Sequence, residues 1–139
     1  MERKIILVED NIGDVQLVRF VLDKMQPKYH FLHFESGVEL LEYSKDASFD
    51  DIALVLLDYN LPKLNGKEML AELRSKVSSR YVPVVLFSSS SAPSDIQECY
   101  EMGVNGFVTK PLDYIAFCKT IEDIVHFWVE QNIWIPTKG

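Results

Sequence analysis

The chain has 139 residues, enough to bury a full core in one domain, and 47% of them are hydrophobic, which excludes a disordered chain. Its formal net charge of −7 argues against non-specific nucleic-acid binding, which needs a basic face, and disfavours docking on anionic membranes. No segment approaches the roughly 18 apolar residues of a membrane span, no signal peptide is visible before the first strand, and Cys99 and Cys118 fit no metal spacing. Ordinary thiols in a reducing, cytoplasmic compartment are therefore the expectation.

Buried strand runs alternate with amphipathic helices. Strands are predicted at 4–8, 30–34, 53–57, 82–87 and 106–109, and helices at about 12–26, 37–46, 66–77, 94–102 and 112–130. The first strand ends in Glu9 and Asp10. The third lies in a run, 52–57, that is apolar throughout and is followed at once by Asp58. Unbroken apolar runs of this length read as strands covered on both faces of a parallel sheet. Ser36 with Glu39, and Asn65 with Glu68, have the spacing that satisfies free N–H groups at a helix start. Ser94 with Gln97 could do the same, or Pro93 could be the first helical residue. Gly103 suits a helix stop. The last helix carries a stripe of Tyr114, Phe117, Cys118, Ile121, Ile124, Val125 and Trp128. Five βα units imply a doubly wound α/β fold, a five-stranded parallel sheet with helices on both faces. Residues 1–139 are expected to form a single domain, with an aromatic tail from about 130.

Four strand ends carry polar groups of distinct chemistry: Glu9 and Asp10 after the first, Asp58 with Asn60 after the third, Ser88 at the fourth, and Lys110 before Pro111 after the fifth. In a parallel sheet these ends share one edge, where open α/β folds bind ligands. Asp10, Asp58, Glu9 and a backbone carbonyl near Asn60 form a partial set of hard oxygen ligands that suits Mg²⁺. Lys110 and the Ser88 hydroxyl could bind phosphoryl oxygens, and Asp58 could be a nucleophile that accepts a phosphoryl group. Taken singly, each has an ordinary role. Asp10 or Asn11 could cap a helix, Asn60 could make a turn, and Ser88 and Lys110 could be loop residues. The joint pattern is what points to function.

The motifs Ile5-Ile6-Leu7-Val8-Glu9-Asp10-Asn11, Leu57-Asp58-Tyr59-Asn60-Leu61-Pro62, Gly66, Pro83-Val84-Val85-Leu86-Phe87-Ser88 and Gly106-Phe107-Val108-Thr109-Lys110-Pro111 span residues 4 to about 128. In them the chain resembles the receiver domain of two-component response regulators, of the single-domain, chemotaxis-type and phytochrome-associated groups. The resemblance implies a flavodoxin-like sheet of order 2-1-3-4-5. It implies that Asp58 accepts a phosphoryl group from a sensor histidine kinase, and that Glu9, Asp10, Asp58 and the Asn60 carbonyl hold Mg²⁺. Ser88 and Lys110 would bind the phosphoryl oxygens. Ser88 and Phe107 would be the switch residues. Phenylalanine cannot make the outward hydrogen bond of a tyrosine, so coupling through Phe107 would rest on packing, and Ser88 lacks a threonine's methyl. The protein would catalyse only its own phosphorylation and slow dephosphorylation, with Asn60 and Ser90 flanking the water path. The kinase would be of the phytochrome type.

No DNA-binding output domain is expected, and neither nucleic acid nor membrane is an expected partner. Phe127, Ile133, Trp134 and Ile135 fall off the helical stripe. They suggest an apolar interface, an isologous homodimer through the last helices and tail, unless the tail folds back on its own domain. A phosphohydrolase would want an acid where Asn60 stands. A flavodoxin-like cofactor binder would find Glu9 and Asp10 repelling its phosphate.

Overall fold

A computed structural model describes residues 3–25, 29–89 and 92–133. Its elements run β1 (Lys4–Val8), α1 (Ile12–Lys24), β2 (His30–Phe34), α2 (Gly37–Asp46), β3 (Ile52–Asp58), α3 (Gly66–Ser75), β4 (Val84–Ser88), α4 (Pro93–Glu101), β5 (Gly106–Thr109) and α5 (Tyr114–Val125). A π-helix, His126–Gln131, continues from α5. All pairings are parallel, and the sheet order is β2-β1-β3-β4-β5.

Period-two alternation along buried strands builds two cores. Ile6, Val8, Val55, Leu57, Val84 and Leu86 face Leu40, Met69, Leu70, Leu73 and Cys99 from α2, α3 and α4. Ile5, Leu7, Leu54, Leu56, Val85 and Phe87 face Val15, Val18 and Leu22 of α1 and Phe117, Ile121 and Val125 of α5. Each large side chain removed from water contributes about 1.5–3 kcal/mol. Every residue of β3 is buried, because this central strand is covered on both faces.

The helix starts follow local chemistry. Asn11 caps α1 by accepting from the Asp14 N–H, so the cap is Asn11 and not Asp10. Asn65 and Glu68 form the full reciprocal box. Ser36 caps Glu39 as expected, but the Glu39 carboxylate accepts from Glu35 N–H. At α4 the first helical residue is Pro93, with Ala92 at the cap and no side-chain bond, so Ser94 does not cap. Gly103 follows that helix at φ +98°, a conformation that glycine adopts without a Cβ clash.

Three expectations need correction. Tyr114 leaves the α5 stripe and is exposed, since the helix begins there behind its Asp113 cap. The last helix is not α-helical to 130 but turns into the π-helix at His126. Asp58 is the final residue of β3 rather than the first beyond it, which holds its backbone in the ladder opposite Phe87.

The π-helix is tied to the domain from several sides. Val129 is fully buried against the second core. Arg3 donates to the Val129 carbonyl and the Tyr29 hydroxyl donates to Glu130; within the π-helix itself His126 Nδ1 lies 2.7 Å from Glu130 Oε1. Phe127 and Ile133 are exposed. Trp134 and Ile135, like Ser90, lie outside the described residues.

Candidate functional site

The sheet order sets the carboxyl ends of β1, β3, β4 and β5 side by side, and the ladder continues past them. Lys110 N–H donates to the Ser88 carbonyl at 2.7 Å, and Tyr59 N–H to the Phe87 carbonyl at 3.3 Å. These bonds fix where the next side chains emerge. Gly66 is required close by. A Cβ there would come within 2.8 Å of the Tyr59 Cα, and the Gly66 N–H donates to the Tyr59 carbonyl. The loop between them carries Lys63 at φ 66°, the non-glycine residue in the left-handed region among the described residues.

Oxygens of Glu9, Asp10 and Asp58 all lie within 4.8 Å of one another. Glu9 and Asp58 are buried, at 2% and 6% exposure, while Asp10 is open to solvent. Three hard carboxylates with one solvent-facing side fit a divalent cation that keeps several waters. Lys110 Nζ sits 2.6 Å from Glu9 Oε1, 2.9 Å from Asp14 Oδ2 and 3.6 Å from Asp58 Oδ2. The Phe87 ring lies beneath the ammonium, 5.7 Å to its centroid. Asn60 N–H donates to Asp58 Oδ1 at 3.0 Å, and the Asn60 amide donates to Ser88 Oγ at 3.2 Å. Ser88 is completely buried.

The electrostatics follow from crowding. Burial, and then the neighbouring Asp58 carboxyl, push Glu9 up to about 8, with Lys110 opposing. Burial alone would lower Lys110, but hydrogen bonds to Glu9 and Asp14 outweigh it and raise it. A dication placed among these acids would reverse the penalty on Glu9.

The structure thus brings together Glu9, Asp10, Asp58, Asn60, Ser88 and Lys110. Phe107 stands apart from them. It is partly buried, packed on the first core, and its ring lies 5.6 Å from that of Tyr59 at 46°. Sequence reasoning missed three participants. Asp14 was readable, one helical turn after Asp10. His33, whose Nε2 lies 2.8 Å from the Glu9 carbonyl oxygen, and Tyr59, which joins Asp58 to Phe107, become visible only once strands pair.

This sheet order, with acids, hydroxyl and lysine on one edge, defines a phosphoryl-accepting signalling domain of the receiver class. The chain belongs to the response regulator receiver domain family, whose model matches residues 5–122, and members of that family are phosphorylated by histidine kinases. Response regulator Rcp1 of Synechocystis sp. is 31% identical over 130 residues, covering 91% of this chain and 88% of Rcp1. Among solved structures, the phosphorylated cyanobacterial phytochrome response regulator RcpA superposes with a TM-score of 0.89 at 31% identity, covering 96% of this chain and 99% of that one. The Mn²⁺-bound form of Rcp1 gives 0.85 at 30%, covering 95% and 98%.

Proposed function

We propose that Asp58 is the phosphoacceptor, in a single receiver domain spanning residues 1–139. One Asp58 carboxylate oxygen forms a bond to phosphorus as the bond to the donor's imidazole nitrogen breaks. The imidazole leaves with the electron pair, and the product is an aspartyl phosphate. The observation that carries this is the convergence of Lys110 with Glu9 and Asp58 on one sheet edge, beside buried Ser88. Lys110 and Ser88 bind phosphoryl oxygens. Glu9, Asp10, Asp58 and the Asn60 carbonyl hold Mg²⁺, which neutralises charge on the phosphoryl group when bound. Support comes from the hard-oxygen donor set and from the Mn²⁺-bound relative.

The partner is a sensor histidine kinase of the phytochrome type, a reading supported by the relatives' names. Ile12, Leu112 and Ile115, all exposed and close in sequence to Asp10 and Lys110, offer that kinase an apolar contact. Phosphorylation draws Ser88 toward the phosphoryl group and is read out by Phe107 through packing. The protein catalyses only its own phosphorylation and slow dephosphorylation, since Asn60 stands where an acid would be needed for turnover. No helix among the described residues is long and apolar enough to cross a membrane, and the acidic balance opposes nucleic acid; the setting is cytoplasmic. Exposed Phe127 and Ile133 support a homodimer through α5, the π-helix and the tail.

Incubation with acetyl phosphate and Mg²⁺, read by intact mass, tests the assignment. One phosphoryl group on the native chain and none on Asp58→Asn is the expected result. Modification that persists in Asp58→Asn overturns it.

A further inference from the structure

Lys110 reaches the site from β5 on a flexible four-carbon stem, and its ammonium has three N–H donors. A lysine that must meet a phosphoryl oxygen gains from being held in one place before the reaction, because positioning lowers the barrier. Two of its donors are engaged, one by Glu9 Oε1 at 2.6 Å and one by Asp14 Oδ2 at 2.9 Å. Asp58 Oδ2 lies 3.6 Å from the same ammonium, beyond hydrogen-bonding distance. A phosphoryl group on Asp58 would add three acceptor oxygens for the donor that Glu9 and Asp14 leave.

Asp14 differs from the other acids here. It lies in the first turn of α1, with its N–H bound by the Asn11 side chain, so its position is set by the helix start. It is not among the three carboxylates whose oxygens gather within 4.8 Å. A cation bound by those three would compete with Lys110 for Glu9, whereas Asp14 would keep its hold.

From this geometry we infer that Asp14 is a positioning residue for phosphoryl transfer: it tethers Lys110 so that the ammonium stays aimed at Asp58 when Glu9 turns to a metal ion. The inference rests on the reading of Asp58 as acceptor. With acetyl phosphate as donor, Asp58 forms the new P–O bond, the bond to the acetate oxygen breaks, and acetate leaves with the electron pair.

The test compares the native protein, Asp14→Asn, Lys110→Ala and the double variant for the rate of phosphorylation by acetyl phosphate in Mg²⁺. The Lys110 ammonium is followed in nitrogen-correlated NMR spectra of the metal-free protein. Asp14→Asn should slow phosphorylation about tenfold, the effect of losing one charged hydrogen bond. It should have no further effect once Lys110 is gone, and it should broaden or erase the Lys110 ammonium signal. Asp14→Glu should recover part of the rate. Equal rates for Asp14→Asn and native protein, or an additive loss in the double variant, overturn the tether. So does Mg²⁺ affinity, measured by calorimetry, falling as far in Asp14→Asn as in Asp10→Asn, since Asp14 would then be a metal ligand. A native chain that accepts no phosphoryl group, or accepts it elsewhere than Asp58, would instead sink the acceptor reading, and the ammonium signal would still decide whether Asp14 holds Lys110.

Discussion

The side-chain amide of Asn60 donates to the hydroxyl of Ser88 across 3.2 Å, joining the ends of β3 and β4. Asn60 also donates its backbone N–H to Asp58 Oδ1, so one residue holds both the acid and the hydroxyl. Ser88→Ala removes a donor that a phosphoryl oxygen would use. It should lower the rate of phosphorylation by acetyl phosphate by up to about tenfold, with Mg²⁺ affinity unchanged. Rate measurement by intact mass and calorimetric titration check the two halves separately, and a weakened Mg²⁺ affinity would give Ser88 a different role.

Lys110 lies among three carboxylates, at 2.6, 2.9 and 3.6 Å. At Glu9 and Asp58 an ammonium and a dication compete for the same oxygens. Lys110→Ala should therefore bind Mg²⁺ more tightly than the native chain while being phosphorylated at least about tenfold more slowly. Calorimetry with Mg²⁺ alone gives the first outcome; weaker binding would contradict the competition.

Arg74 ends α3 and reaches the Gly103 carbonyl at 2.9 Å, the Val82 carbonyl at 2.8 Å, the Ser79 carbonyl at 3.3 Å and Asn105 Oδ1 at 2.7 Å. It clamps the segments that flank β4 and β5. Arg74→Ala should cost on the order of 2–4 kcal/mol in denaturant unfolding, from backbone acceptors left without their charged donor. Arg74→Lys should recover little, because a single ammonium cannot span a fork of acceptors.

Glu130 is held below the usual carboxylate range, first by the Tyr29 hydroxyl and then by His126. A depressed folded pKa gives stability that is complete above the unfolded value of about 4.3 and is lost as pH falls through the folded one. Melting temperatures compared at pH 7 and pH 3 should fall further for the native chain than for Glu130→Gln, and equal falls would show that the Tyr29 contact does not favour the charged form.

Tyr59 and Phe107 pack ring to ring at 5.6 Å, which links the residue after Asp58 to β5. A double-mutant cycle of Tyr59→Leu and Phe107→Leu should give a coupling of about 0.5–1.5 kcal/mol. Strict additivity in urea unfolding would mean that the rings only share a core.

The strands and helices were legible in the sequence because a central parallel strand must be apolar on both faces, as 52–57 is, and because caps such as Asn65 with Glu68 are local. The acids, hydroxyl and lysine were legible as a set because parallel pairing puts every strand end on one edge. Chain-local pattern could not show that Asp14 meets Lys110, that the Tyr59 ring meets Phe107, or that His126–Gln131 winds as a π-helix held by Arg3 and Tyr29. Those contacts join residues from about 50 to more than 120 positions apart. Sequence periodicity states which face a side chain takes, but only the packed sheet and its helices decide which distant side chain it finds there.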